Sequence, residues 1–169
     1  MMVVNVGLPV DRLRFTIAHE LGHILMHVLP NDDQEKQANL FAGELLMPTT
    51  DIVADLEGLT TRQFTRLMQL KSKWRVSVGA LVQRAHNLEL ISDRQFKEFR
   101  IRMSQMGWNA SEPVELSPEM PHLLNNVINR RRTDLGDSDD LLAAAASMTT
   151  SAFQRHYLDR MPATGRRIE

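Results

Sequence analysis

His19, Glu20 and His23 lie close together in a mainly apolar stretch, RFTIAHELGHILMH at residues 14–27. On a helix, His19 and His23 would project from one face, because they are four residues apart, and Glu20 would lie beside them. This HExxH spacing is typical of a catalytic zinc site, in which neutral imidazoles bind Zn²⁺ and the glutamate is the general base. The spacing predicts that chemistry here; the alternative is a buried histidine pair that serves only packing.

A third protein ligand is needed, because a catalytic zinc takes three protein ligands and one water. The chain has no cysteine, so the ligand must be a histidine or a carboxylate. A metzincin pattern would place its third histidine at position 29, which is Leu29, and this favours a carboxylate from the next helix. The acidic candidates there are Asp32, Asp33, Glu35 and Glu44, of which Glu44 is expected on the polar rim.

Glu35 is the predicted third ligand, since helical spacing puts it on one stripe with Ala38 and Ala42. These two small residues opposite Gly22 would let the two helices approach closely. Asn39, one turn beyond Glu35, is predicted to hydrogen-bond the distal nitrogen of His19 or His23 and to fix its tautomer.

Helices are the elements that must position these groups. The run MMVVNVG predicts a short strand that ends at Gly7, and Asp11 is expected to cap a helix over 11–28. A second helix is expected over 33–47, where Pro48 stops it. Later helices are expected near 50–56, 61–74, 77–87, 93–106, 120–132, 138–147 and 149–159.

Length and composition set outer limits. A chain of 169 residues suits one or two compact units with a real core. No apolar run approaches the roughly 20 residues that span a bilayer, and the first residues lack a signal-peptide pattern. The lack of cysteine excludes disulfides and suits a cytoplasmic protein, which is the expected location.

The net charge of -1 is unevenly distributed. Residues 60–107 carry 10 Lys and Arg against 3 Asp and Glu, whereas residues 1–59 carry 3 against 9. A basic region can contact an acidic partner such as DNA, but solvated helix faces beside an acidic part of the same molecule are the simpler explanation and the favoured one.

Residues 64–88, FTRLMQLKSKWRVSVGALVQRAHNL, resemble a helix-turn-helix. Val76 and Ser77 would form the turn, and the helix from Gly79 to Arg84 would enter a major groove. A three-helix packing unit gives the same pattern. A DNA-binding or protein-docking regulatory module with a vestigial or structural metal site is therefore the alternative to an enzyme.

The blocks DRLRFTIAHELGHILMH and EKQANLFAGELLMP resemble the ImmA/IrrE family of metallopeptidases, and the similarity covers residues 5–110. By position, the resemblance implies His19, His23 and Glu35 as zinc ligands and Glu20 as the catalytic glutamate. It further implies a gluzincin-like minimal protease core, a cytoplasmic setting, and regulated cleavage of helix-turn-helix transcriptional repressors in phage, mobile-element or stress circuits.

The predicted fold class is mainly α, that is, α+β with a minimal N-terminal strand. Residues 1–59 are expected to form a minimal zincin-like metallopeptidase core that lacks the upstream strands of the family. Residues 60–108 are expected to form a helical unit like a helix-turn-helix, and residues 109–169 a linker and a helical tail.

Overall fold

The computed structural model describes residues 7–27, 29, 32–119 and 122–158. All regular elements within these residues are helices, which confirms the mainly α class for this part of the chain. The strand predicted for MMVVNVG falls almost wholly on residues 1–6, which lie outside the described residues. The chain divides into two compact units, residues 1–118 and residues 119–169.

Six helices build the first unit. They are α1 (Val10–Met26), α2 (Gln34–Leu46), α3 (Thr49–Leu56), α4 (Phe64–Trp74), α5 (Val78–Asn87) and α6 (Asp93–Gln105). Local sequence explains several boundaries: Ser77 caps α5 by accepting a hydrogen bond from the Ala80 amide, and Ser92 with Gln95 forms a capping box at α6. The bounds of α1 and α2 lie within two residues of those expected from periodicity.

The expectation that Asp11 caps α1 is wrong. Pro9 occupies the N-cap position, which suits its fixed φ, and no side chain caps the helix there. Asp11 lies buried in the first turn, where its carboxylate accepts a hydrogen bond of 2.5 Å from the Lys71 ammonium. The carboxylate neutralises a cation from α4, and this role depends on a residue 60 positions away in the chain.

The main hydrophobic core lies in the second half of this unit. It joins α3, α4, α5 and α6 through side chains that are fully or almost fully buried: Ile52, Leu56, Leu67, Val78, Leu81, Val82, Phe99 and Met103. Met47, directly after α2, also belongs to this core, so the end of the second motif helix is fixed to it. Because α1 packs on α2, the core anchors both motif helices to the rest of the unit through Met47.

A buried ion cluster connects three parts of the same unit. Lys71 of α4 bonds Asp11 of α1 and, at 2.9 Å, Glu112 from the segment after α6. Glu112 also accepts hydrogen bonds from the backbone amides of Val78 and Gly79, at the start of α5. Burial opposes the charged form of Lys71, but its bonds to the two carboxylates outweigh burial and raise the pKa of the ammonium.

The second unit is a small helical assembly of α7 (Leu123–Thr133), α8 (Asp139–Ala145), α9 (Thr150–Phe153) and a π-helical turn, Gln154–Leu158. Among the described residues of this unit, the core consists of Ile128, Leu142, Ala143 and Phe153, with Tyr157 and two other apolar side chains packed against it. Along the described residues of both units, no helix is long and apolar enough to cross a bilayer.

Candidate metal centre

The two motif helices approach closely at Gly22. A Cβ atom at this position would lie 3.1 Å from Cδ1 of Phe41 and 3.3 Å from Cα of Ala38. Both distances are shorter than ordinary carbon contacts of about 3.5–4.0 Å. Ala38 and Ala42 are fully buried in the same contact, so small residues on both helices set the distance between α1 and α2.

Close packing brings three potential metal donors together. The Nε2 atoms of His19 and His23 are 3.0 Å apart, and the Glu35 carboxylate oxygens lie 3.3 Å from the first and 3.2 Å from the second. Three corners of a tetrahedron whose centre is about 2.0–2.1 Å from each ligand are separated by about 3.3 Å. The spacing therefore fits a tetrahedral zinc ion, and it is the convergent donor group found within the described residues.

Hydrogen bonding fixes the tautomer of His19. Its Nδ1 atom lies 3.0 Å from Oδ1 of Asn39, one turn beyond Glu35 on α2. An amide oxygen only accepts, so with this amide orientation His19 carries its proton on Nδ1. Its Nε2 atom then presents a lone pair toward Glu35 and His23. The sequence analysis expected Asn39 to contact His19 or His23, and the structure places it on His19.

A second chain of hydrogen bonds starts at His23 and includes a residue that the sequence analysis passed over. Nδ1 of His23 is 3.0 Å from Nδ1 of His27, and Nε2 of His27 is 2.8 Å from Oε1 of Gln37. Because the Gln37 oxygen accepts from His27 Nε2, His27 Nδ1 is left to accept from His23. With this assignment, Nε2 of His23 is unprotonated. The spacing of four residues between His23 and His27 is the sequence signal that could have revealed His27 as the partner of His23.

The two tautomers decide what the cluster can bind. In this pair of tautomers, two nitrogen lone pairs 3.0 Å apart and the Glu35 carboxylate face one another, an arrangement that a cation between them would stabilise. The side chains of His19 and His23 are only 17% and 22% exposed, whereas that of Glu35 is 70% exposed. The donor set suits Zn²⁺, with its open side toward solvent, and the ligand roles of the three residues stay a prediction.

The remaining acidic candidates lie outside this cluster. Asp32 and Asp33 are exposed, and Glu20, adjacent to His19 on α1, is half-buried and is not among the three convergent donors. Glu44 accepts hydrogen bonds from the backbone and hydroxyl of Thr49 and pairs with Arg84, and these contacts lower its pKa from 4.5 to about 2. Glu44 therefore joins α2 to α3 and α5 rather than binding the metal.

The polar side chains of α5, the helix proposed to enter a DNA groove, bond one another or neighbouring groups in the same unit, and Gln83 and Asn87 do so while exposed. Gln83 donates to Asn87, and His86 lies 2.7 Å from Asp93 of α6. Arg84 is buried and donates to the Met47 carbonyl oxygen as well as to Glu44. Contact with DNA through α5 would have to break these bonds.

The helical fold and the HExxH helix packed on a carboxylate-bearing helix define the class of zincin-like metallopeptidases. The family model described as Peptidase_M78, IrrE N-terminal-like domain, matches residues 1–86, which is more than half of the chain. The chain therefore belongs to the ImmA/IrrE family of metallopeptidases, as its two sequence blocks predicted. No curated protein and no solved structure matches the chain significantly.

Proposed function

We propose that this protein is a zinc-dependent endopeptidase in which His19, His23 and Glu35 hold Zn²⁺ and Glu20 moves the proton. The observation that carries the proposal is the convergence of three donor side chains on two helices that Gly22 keeps in close contact. The two Nε2 atoms are 3.0 Å apart, and one oxygen of Glu35 lies 3.3 Å from His19 while the other lies 3.2 Å from His23. Such spacing is required of tetrahedral zinc ligands.

The chemistry divides between the metal and the protein. Zinc, when bound, supplies Lewis-acid polarisation of water and of the scissile carbonyl. Glu20 takes a proton from the attacking water and delivers it to the leaving amine nitrogen, so it acts first as a base and then as an acid. Asn39 and His27 hold the two ligand rings in the tautomers that direct Nε2 toward the metal.

Metal analysis tests the ligand set. Protein purified without added metal should contain about one zinc per chain, and the Glu35→Gln and His23→Ala variants should lose it. Glu20→Gln is the matched control for chemistry, because it should keep zinc but lose peptide hydrolysis. A wild-type protein that stays metal-free after zinc titration would contradict the ligand assignment, and loss of zinc in Glu20→Gln would contradict the role of Glu20.

The substrate that we propose is a helix-turn-helix transcriptional repressor, cleaved in the cytoplasm as part of a phage, mobile-element or stress-response circuit. This finer proposal rests on the family resemblance. Incubation of the zinc-loaded protein with a panel of purified helix-turn-helix repressors, followed by mass spectrometry, tests it. One repressor cut at a discrete site by wild type and left intact by Glu20→Gln would support the proposal; no cleavage across the panel would count against it.

Binding of DNA by residues 60–107 is the second candidate. One observation favours it: Arg94, Lys97 and Arg100 are exposed on α6. Phosphate contacts through these side chains would weaken steeply as salt concentration rises, since counterions are released on binding. A gel-shift assay at several salt concentrations tests this, and no shift even at low salt would remove DNA as a partner.

A further inference from the structure

A groove of about 860 Å³ runs along the side of the motif helices that faces α5. Its walls combine apolar side chains, among them Phe15 of α1, Leu40 of α2 and Ala80 of α5. Amide side chains of Asn39, Gln83 and Asn87 also line it. Apolar surface with a few placed amides is typical of sites that bind peptides or small ligands.

The charged side chains that line this groove are all positive. Arg12, Lys36, Arg84 and Arg100 line it, and none of the described lining residues is an aspartate or glutamate. Of the four cations, Arg84 is the one that pairs with a carboxylate among the described residues, that of Glu44. Arg12 donates to the backbone carbonyl of Asn109 at 2.9 Å, which is a neutral acceptor.

The groove leads to the candidate metal centre. Thr16, one helical turn before His19 and Glu20, lines it on α1. Asn39 lines it on α2 and contacts Nδ1 of His19. The proposed ligands and Glu20 are not among the lining residues, so a chain in the groove would lie beside the candidate metal centre, next to Asn39.

We propose that this groove binds an acidic segment of the protein substrate, beside the bond that is cleaved. The inference rests on the proposed peptidase function and adds the substrate feature that the chain selects. Carboxylates of the segment would face Arg12, Lys36 and Arg100, while Asn39 and Asn87 can hydrogen-bond an extended backbone. Apolar side chains of the segment would cover Phe15 and Leu40.

The test measures binding of fluorescein-labelled dodecapeptides to zinc-loaded Glu20→Gln protein, which should not turn them over. One peptide is rich in glutamate and the other has glutamine at the same positions. The acidic peptide should bind about tenfold more tightly at low salt, and this preference should shrink as salt screens the charges. Arg100→Glu should weaken acidic-peptide binding about fivefold, and Lys36→Gln about twofold.

Arg62→Glu is the matched control, because Arg62 is also exposed and does not line the groove, and because the substitution changes the net charge as much as Arg100→Glu does. It should leave peptide binding within twofold of the parent protein, roughly the effect of one distant screened charge. Equal binding of the two peptides, or equal effects of Arg62→Glu and Arg100→Glu, would overturn the groove assignment. Displacement of the acidic peptide by a short DNA duplex at physiological salt would overturn it as well, in favour of a nucleic-acid site.

The outcome for the groove is separable from the outcome for the peptidase. If wild type hydrolyses both peptides at equal rates, the groove assignment fails and the peptidase stands. If the acidic peptide binds with the predicted variant effects but zinc-loaded wild type does not cut it, the groove stands and the peptidase fails.

Discussion

Substitution of Gly22 should show how the distance between α1 and α2 controls the metal site. Gly22→Ala gains about 1 kcal/mol of helix propensity. Its new methyl carbon would lie 3.1 Å from the Phe41 ring and 3.3 Å from Cα of Ala38. Contact at about 3.8 Å would require the ring to move by about 0.7 Å and the α2 backbone by about 0.5 Å. We expect gain and cost to offset each other, leaving the free energy of unfolding within about 1 kcal/mol of wild type.

Gly22→Leu adds the rest of a branched side chain at the same contact. The Ala38 backbone cannot yield by changing a rotamer, and overpacking of this kind costs about 1–3 kcal/mol. Ala38 lies one turn after Glu35, so separation of the helices also moves the carboxylate away from both histidines. Because metal–ligand distances tolerate changes of only about 0.2 Å, we expect zinc affinity to fall at least about tenfold.

Two assays measure these effects: competition for zinc against a chromophoric chelator, and thermal unfolding of the zinc-free protein. Gly43→Ala is the control, because a Cβ atom there would meet Cδ of Arg84 at an ordinary 3.7 Å. It should raise stability by up to about 1 kcal/mol and leave zinc affinity unchanged. A Gly22→Leu variant with a raised Tm and wild-type zinc affinity would refute the packing argument.

Substitutions at three further residues test contacts within the first unit. His27→Leu should weaken zinc binding by about tenfold or more, while His27→Asn, which keeps an acceptor near His23, should weaken it less; equal affinities in the chelator assay would deny His27 this role. Lys71→Met should cost about 3–5 kcal/mol in urea unfolding, because it leaves two buried carboxylates unpaired, and a cost below 1 kcal/mol would contradict that reasoning. Glu44 has a pKa of about 2 in the folded protein against 4.5 ordinarily, so its stabilising effect is complete above pH 4.5 and is lost as pH falls toward 2. The difference in unfolding free energy between wild type and Glu44→Gln should therefore shrink over this range, and a constant difference from pH 6 to pH 2.5 would exclude the carboxylate as its cause.

Helical periodicity explains why much of the candidate site could be predicted from sequence. The spacing of His19 and His23, and of Glu35 with Ala38, is set by one helix at a time. Gly22 indicated close packing because a glycine inside a helix needs a compensating contact. These inferences needed no knowledge of distant parts of the chain, and they extended to Asn39 because it follows Glu35 by one turn.

Contacts between distant segments could not be predicted in the same way. Glu44 is exposed, as expected of a polar rim residue, but its pairing with Arg84, 40 positions away, could not be read from local spacing. Aspartate is a residue type that commonly caps helices, which is why Asp11 was predicted to do so. Its role as a buried counter-ion depends on the position of Lys71 in the folded chain. Glu112 lies in a segment with the prolines and small residues of a linker, yet the structure buries its carboxylate against Lys71. Pairing of this kind depends on tertiary packing rather than on local spacing.

The ion cluster at Lys71 also sets a minimum length for a fragment that folds with the metal centre intact. The family match ends at residue 86, which includes Asp11 and Lys71 but omits Glu112. A protein cut there would keep a buried ammonium with half of its neutralising charge, and the amides of Val78 and Gly79 would lose their acceptor. The carboxylate of Asp11, in the first turn of α1, pairs with this same ammonium, and α1 is the helix that carries the zinc motif. The boundary of the cooperative folding unit therefore lies beyond the boundary of sequence similarity, at or after Glu112.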